Sequence, residues 1–223
     1  MEQYLLILRH CPFFNGMTDQ EILSILTCVE GRVVSREKDA FLFLAGDSTS
    51  EMGLVLSGSV LIIQEDLWGR RNILAKCAAG DFFGEPYAAT PGSVLNISVV
   101  ASESCEVLLL NVRRVLSTCP TTCGHHSRLI RNLVSVLSQK LLLFNDKITH
   151  MSKRTTREKL LSYLSSESIR QGRLSFDIPY DRQQLADFLC VERAAMSVEL
   201  SKLKKEGLIQ THRNHFEIIA SLE

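Results

Sequence analysis

Residues Asp181 to Ile209 read DRQQLADFLCVERAAMSVELSKLKKEGLI, which is the pattern of two short helices joined by a tight turn. The apolar positions that recur at helical spacing are Leu185, Ala186 and Leu189, followed by Met196, Leu200 and Leu203. The small Ala186 allows the two helices to cross closely, and Gly207 ends the second helix. The stretch therefore predicts a helix-turn-helix.

A polar hairpin follows the second helix. Leu208 and Ile209 begin a strand, residues 211–215 form a polar tip, and residues 216–219 return as a second strand, which together predict a wing. In such a winged helix-turn-helix the second helix enters the major groove of double-stranded DNA and its exposed residues meet base edges. The candidate DNA-binding residues are Arg182, Gln183, Glu192, Arg193, Ala195, Ser197, Val198, Lys202 and Arg213.

The N-terminal half has a different pattern. The first thirty residues predict short helices, and Thr18 with Glu21 forms a capping box. Between residues 32 and 110, short apolar runs alternate with Gly and Asp turns, which is typical of a β-sandwich or barrel. The chain as a whole is therefore predicted to be α+β, with an N-terminal jelly roll.

A long helix connects the two parts. One apolar row is spaced by 4, 3, 4, 3 and 4 residues, the repeat of a coiled-coil seam: Ile130, Val134, Leu137, Leu141, Phe144 and Ile148. A second row is expected to rest on the β-domain: Leu129, Leu133, Val136 and Leu143. Two apolar rows need two covering surfaces, which favours a homodimer over a single long core helix. We expect a sensor domain at 1–123, a dimerisation helix at 124–151 and a DNA-binding domain at 152–223.

Composition excludes several classes of protein. The chain has 223 residues, 25 basic and 25 acidic, and no run approaches the length of about 18 apolar residues that a membrane span needs. Seven scattered cysteines fit reduced thiols in a cytoplasmic protein. All six histidines lie outside the strand region, which excludes a metal enzyme of the cupin type. We therefore expect no catalytic site, no metal, no cofactor and no membrane partner.

The chain resembles transcription factors of the Crp/Fnr family, the catabolite activator and fumarate–nitrate reduction regulators. Gly46-Asp47, Gly58, Gly80-Asp81 and Phe83-Gly84-Glu85 resemble turns of the family's cyclic-nucleotide-binding-like jelly roll, and Arg193 to Ile209 resembles its recognition helix and exit. The resemblance implies a bacterial homodimer that binds an inverted-repeat operator and has RNA polymerase as a partner. It also implies a jelly roll that senses a small effector.

The departures from the family bear on the effector. Cyclic-nucleotide-binding members hold the phosphate with an Arg-Ser pair, and Leu95-Asn96 stand in those places here. A phosphate anion needs a cation or several donors, so cyclic AMP is not the expected effector. The expected pocket consists of Phe83, Gly84, Glu85, Pro86, Tyr87, Leu95, Asn96, Ser98 and Leu141.

Three alternatives remain open at this stage. The chain could respond to a cyclic nucleotide after all, with Arg70, Arg71 or Lys76 as the cation, or it could bind DNA without an effector. It could also sense metal or redox state through Cys119 and Cys123, although two ordinary small apolar residues are the simpler interpretation of that pair. In the turn before the recognition helix, Cys190 stands where the family has Gly. Within the recognition helix, Val198 stands where the family has a later Arg.

Overall fold

The computed structural model of the chain describes residues 1–117 and 124–219. The chain divides into two compact units. The first consists of Met1–Arg70 with Leu74–Gln139, and the second of Arg71–Ile73 with Lys140–Glu223. The described part combines helices with antiparallel sheets, as the sequence predicts.

Short helices begin the first unit. Two 3-10 turns, at Glu2–Tyr4 and Pro12–Phe14, flank α1 (Leu5–His10), and α2 spans Asp19–Cys28. The predicted capping box at the start of α2 is confirmed. The Glu21 backbone N–H donates to Thr18 Oγ1 at 3.4 Å, and the Thr18 N–H donates to Glu21 Oε2 at 2.7 Å.

Two four-stranded antiparallel sheets form the jelly roll, which confirms the predicted sandwich. The strands and short helices are β1 (Arg32–Arg36), β2 (Phe41–Phe43), β3 (Glu51–Ser57), β4 (Ser59–Glu65), β5 (Arg71–Ala78), β6 (Phe82–Phe83), α3 (Glu85–Ala89), β7 (Ser98–Ala101), β8 (Cys105–Asn111) and α4 (Val112–Leu116). The order in one sheet is β1-β8-β3-β6, and in the other β2-β7-β4-β5. Consecutive strands lie in different sheets, except for β4 and β5, and the two sheets enclose one apolar interior between them.

The long helix α5 spans Gly124–Met151 and packs through one of its two apolar rows. Leu129, Leu133 and Val136 are buried in a cluster with the N-terminal helices and the β1-β8-β3-β6 sheet, as the sequence predicts. The prediction for Leu143 is wrong, because this side chain is 51% exposed. No described helix has both the length and the apolar character required to cross a bilayer.

The second unit holds three helices and a small sheet after α5. Its elements are α6 (Thr156–Gln171), β9 (Ser175–Asp177), α7 (Arg182–Leu189), α8 (Arg193–Lys205), β10 (Ile209–His212) and β11 (His215–Ile218). The three strands form an antiparallel sheet in the order β10-β11-β9. The chain leaves α8 through Gly207, whose φ of +73° favours glycine.

A buried lysine fixes α7 against the C-terminal part of α5. The Lys147 ammonium lies 4.2 Å from the centroid of the Phe188 ring and donates to the carbonyl of Ile73. Burial lowers the pKa of Lys147 to about 8. One turn further along α5, His150 Nδ1 lies 2.8 Å from Ser162 Oγ on α6. Within the second unit, the Lys147 contact with Phe188 thus joins the helix-turn-helix to α5, and the His150 contact with Ser162 joins α6 to α5.

Candidate DNA-binding surface and sensor interior

The first helix of the helix-turn-helix begins with a cap made by its own sequence. The Gln184 backbone N–H donates to Asp181 Oδ1 at 2.8 Å, and the Asp181 N–H donates to Gln184 Oε1 at 3.2 Å. The inner faces of α7 and α8 meet through the six residues that the periodicity predicted, and each is at most 5% exposed: Leu185, Ala186, Leu189, Met196, Leu200 and Leu203. Packing of this face fixes which side of α8 points away from the unit.

The turn between the two helices requires a left-handed backbone. Cys190 has φ +53° and ψ +55°, as the comparison with glycine at this position led us to expect. The following Val191 N–H donates to the Ala186 carbonyl at 3.0 Å, which closes the end of α7. The sharp turn therefore strains the backbone, because a residue with a Cβ adopts a conformation that favours glycine.

The outward face of α8 carries the residues predicted to read DNA. All six of the predicted residues on this helix and its cap are exposed: Glu192, Arg193, Ala195, Ser197, Val198 and Lys202. Sequence reasoning missed Ala194, which is also exposed and lies one helical turn before Val198. The signal that could have found it is the direction opposite to Met196, Leu200 and Leu203, since 3.6 residues per turn place Ala194 and Val198 there.

The charged residues on and just after α8 differ in whether they form ion pairs within the unit. Lys202 Nζ lies 2.7 Å from Glu199 Oε1, and Glu206, just after the helix, pairs with Arg157 on α6. Lys204 and Lys205 are exposed in the last turn. Arg193 makes no ion pair within residues 1–117 and 124–219, so its guanidinium is available to a base edge or a phosphate.

Two residues of the predicted set belong to α7 and have partners within the unit. Arg182 Nη2 donates to Thr211 Oγ1 at 2.6 Å, and its guanidinium carbon lies 4.8 Å from the Phe216 ring centroid. The neighbouring Gln183 Nε2 donates to Asp187 Oδ1 at 2.8 Å. Arg182 therefore supports the wing, and a contact of either residue with DNA stays a prediction.

The wing is a tight hairpin. β10 and β11 pair from Ile209 with Ile218 to His212 with His215, which leaves Arg213 and Asn214 at the tip. Arg213 is exposed and has φ +53°. Asn214 Nδ2 donates to the Ile178 carbonyl at 3.2 Å, so the tip is tied to the body of the second unit.

The predicted effector pocket falls partly in the interior of the jelly roll. Phe83 and Leu95 are buried in one apolar cluster, and the Phe83 ring packs edge-to-face on Phe43 with centroids 5.3 Å apart. A Cβ added at Gly53 would lie 2.1 Å from the Phe83 ring, which shows how closely this ring covers the backbone of β3. Phe83 thus fills space between the sheets.

The polar members of the predicted pocket have different surroundings. Ser98 Oγ accepts from the Ala45 N–H at 3.0 Å, and the Tyr87 hydroxyl donates to Asn96 Oδ1. Burial raises the pKa of Tyr87. Glu85 is 3% exposed in the first turn of α3.

The other predicted members differ in burial: Gly84 is buried at the edge of this interior, whereas Pro86 and Leu141 are exposed. Gly84 has φ +81° and an added Cβ would meet the Phe43 ring, while Pro86 is exposed. Leu141 is 62% exposed and belongs to the second unit, so its place in the pocket stays a prediction.

A cleft of about 310 Å³ on the first unit shares no residue with the predicted pocket. It is lined by small polar residues at 48–50 and 90–93, together with Arg113 of α4. This cleft and the predicted effector site are therefore different places.

The predicted seam of α5 is the exposed side of that helix. Ile130 is half-buried and the remaining members are between 36% and 65% exposed: Val134, Leu137, Leu141, Phe144 and Ile148. A row of large apolar side chains in contact with water is unfavourable unless another surface covers it.

The cysteines differ in their surroundings. Cys11, Cys28, Cys77, Cys105 and Cys190 are free thiols, whereas Cys119 and Cys123 lie outside the described residues. Cys28 Sγ lies 3.8 Å from His126 Nε2. No cluster of metal-ligating side chains occurs in the part of the chain that the structure describes.

Two family models match this chain. The model of the cyclic nucleotide-binding domain matches residues 33–121, and that of the Crp-like helix-turn-helix domain matches residues 158–221. Together the two matches cover more than half of the chain. The matched domains follow one another along the chain in the same order as the observed jelly roll and helix-turn-helix.

Individual proteins similar to this chain cover nearly all of it. The cyclic AMP receptor protein of Thermus thermophilus is 25% identical over 203 residues, which is 91% of this chain and 90% of that protein. The solved structure of CLP, a c-di-GMP-responsive global regulator of Xanthomonas campestris, has a TM-score of 0.72 at 18% identity and covers 92% of this chain and 100% of that chain. CprK in complex with OCPA has a TM-score of 0.69 at 14% identity, with 89% of each chain covered. At these identities the two structures show the fold alone.

The strained turn yields a prediction about stability. Because Cys190 holds φ +53°, Cys190→Gly should stabilise the protein by about 1 kcal/mol, as the clash of a Cβ in the left-handed region is removed. The measurement is urea unfolding followed by circular dichroism.

Cys190→Ala is the matched control, because it removes the thiol but keeps the Cβ. We expect the alanine variant to gain little or nothing. Equal midpoints for the glycine and alanine variants would show that the turn is not strained.

Proposed function

The chain belongs to the Crp/Fnr family of DNA-binding transcription regulators, and we propose that it acts as a homodimer on an inverted-repeat operator. Members of this family respond to effectors and are not enzymes. The observation that carries the proposal is α8, where Arg193 is exposed at the N-terminal end of a helix whose direction is fixed by the buried core of the helix-turn-helix. The proposed location is the cytoplasm, and RNA polymerase is the proposed protein partner.

DNA recognition is proposed to divide between α8 and the wing. Arg193 is the candidate for reading a base, because arginine matches guanine with two hydrogen bonds in the major groove. Arg213 at the exposed wing tip is the candidate for a phosphate contact, which adds affinity without sequence information. Lys202 is paired with Glu199, so its contact with DNA would compete with that ion pair.

A second copy of the chain is the proposed cover for the seam of α5. The row that includes Leu129 is already buried within the first unit, whereas the seam is largely exposed in the single chain. The alternating spacing of the seam is the repeat that two identical helices need to pack side by side. Proteins of this family are typically dimeric, and a two-fold dimer presents two copies of α8 to DNA.

The proposed effector is a small, largely apolar or aromatic molecule rather than cyclic AMP. Leu95, at one of the two expected phosphate-binding places, is 3% exposed within an apolar cluster and offers neither charge nor a side-chain donor. Asn96 at the other place accepts from Tyr87. A phosphate diester bound here would lose its hydration without gaining ion pairs or hydrogen bonds from the protein in return.

The names of similar proteins do not select the ligand. One is named for cyclic AMP, one is described as c-di-GMP-responsive, and one is described in complex with OCPA. The choice therefore depends on this chain's own residues. Since Phe83 fills much of the interior, binding of DNA without any effector is the remaining alternative.

The seam predicts the oligomeric state. Leu137→Glu combined with Leu141→Glu should convert a dimer into monomers in sedimentation velocity, because the two copies would oppose like charges in an apolar seam. Ser135→Glu with Gln139→Glu is the matched control, since it adds the same charge to exposed positions of α5 off the seam. A dimer that survives the leucine changes would place the interface on another element.

The division between α8 and the wing predicts two different losses. Arg193→Ala should weaken binding to the operator by roughly 1–3 kcal/mol and relax preference at one base position, as expected for a lost bidentate guanine contact. Arg213→Ala should weaken operator and random DNA alike and reduce the dependence on salt. The measurement is fluorescence anisotropy over a range of salt concentrations, on operator half-sites spaced about 10–10.5 base pairs apart. Equal loss on operator and random DNA in the Arg193 variant would refute the base-reading role.

The apolar environment of Leu95 predicts weak or absent binding of cyclic nucleotides. Calorimetry with cyclic AMP and cyclic GMP should give no heat at ligand concentrations near 1 mM, which corresponds to binding weaker than about −4 kcal/mol. Leu95→Arg would test the cause by supplying the missing cation. Micromolar cyclic AMP affinity in the wild-type protein, coupled to tighter operator binding, would refute the proposal, and Arg70, Arg71 and Lys76 would then be the residues to change.

A further inference from the structure

The centre of the outward face of α8 is apolar. Ala194 and Val198 lie one helical turn apart, both are exposed, and Val198 is 54% exposed. They stand opposite the buried row of Met196, Leu200 and Leu203, so they point in the direction in which a recognition helix meets base edges. An apolar pair at this place distinguishes α8 from a recognition helix whose DNA-facing surface consists only of hydrogen-bonding side chains.

The polar side chains around this pair are directed elsewhere. Ser197 Oγ donates to the Arg193 carbonyl and Ser201 Oγ donates to the Ser197 carbonyl, each at 2.9 Å. Glu199 pairs with Lys202. The hydroxyl donors next to Val198 are thus used on the helix's own backbone, and the nearest carboxylate is neutralised.

Base edges in the major groove offer one apolar group, the 5-methyl of thymine. The polar groups that distinguish the bases there are hydrogen-bond donors or acceptors, and they would lose water against Ala194 and Val198 without a replacement partner. A methyl group loses no hydrogen bond when an apolar side chain covers it.

We propose that Ala194 and Val198 form a contact for the 5-methyl group of a thymine in each half-site of the operator. The inference rests on the proposed function, since it requires that α8 enters the major groove. It specifies a base and an atom at a position where a hydrogen-bonding side chain would specify a different base. Arg193 then reads a base by hydrogen bonds and Val198 reads a neighbouring one by its methyl group.

The test replaces thymine by deoxyuridine, which removes the methyl group and leaves the hydrogen-bonding edge unchanged. An operator is first selected from a pool of random duplexes with the wild-type protein. Each thymine is then replaced in turn, symmetrically in both half-sites, and binding is measured by anisotropy.

For the wild-type protein we expect one thymine position at which the replacement weakens binding by about fourfold per half-site. That is the loss expected when a methyl contribution of about 0.8 kcal/mol disappears. Val198→Ala should bind the thymine operator more weakly and should no longer distinguish thymine from deoxyuridine at that position. Because Val198 is exposed, we expect the variant to keep the unfolding midpoint of the wild-type protein.

Lys202→Ala is the matched control on the same helix. It should weaken binding to both duplexes and keep the ratio between thymine and deoxyuridine, because a charge contact does not depend on the methyl group. The inference is overturned if no thymine of the selected operator is sensitive to the replacement. It is also overturned if Val198→Ala keeps the wild-type sensitivity at every position.

These outcomes are separate from a failure of the proposed function. If wild-type protein selects an operator and only the methyl contact fails, the regulator function stands and the reading by Ala194 and Val198 is wrong. If no duplex is enriched and all DNA is bound equally, sequence-specific recognition is refuted and the methyl contact falls with it.

Discussion

Burial of Leu129, Leu133 and Val136 in the first unit is the constraint on which the arrangement of α5 depends. Because these side chains occupy one face of the helix, they fix its rotation about its own axis. The direction of the seam residues is thereby fixed, and they lie on the exposed side of α5. The same packing that stabilises the sensor unit thereby creates the surface that a second copy can cover.

A comparable constraint governs the DNA-binding helix. Burial of Met196, Leu200 and Leu203 fixes the rotation of α8, and the left-handed turn at Cys190 leads from α7 into this helix. The cost is local strain at one residue, and the gain is a helix whose outward face is determined. Base recognition by an exposed helix depends on this, since a helix free to rotate could not present the same residues to the groove.

The interior of the jelly roll is apolar around the proposed effector site. Phe83 lies on the backbone of Gly53, and Leu95 occupies the place expected for a cation. Leu95 is the departure from the family here, since Phe83 belongs to the Phe83-Gly84-Glu85 turn that resembles the family's jelly roll. The fold is maintained by nearly continuous burial of residues along the central strands, as in β3 and β8, and this burial does not depend on whether the cavity is charged.

Sequence alone determined the elements whose signals are local. The capping box at Thr18, the cap at Asp181 and the helical spacing from Leu185 to Leu203 all follow from residues within a few positions of one another, whereas the glycine-like turn at Cys190 is expected from the resemblance to the family. The tertiary structure decided what depends on contacts between distant residues. It formed the hydrogen bond between Arg182 and Thr211, and it left Leu143 exposed although the rest of its row is buried. Periodicity gives the relative angle of side chains on one helix, but only the surface packed against that helix fixes which angle points to solvent.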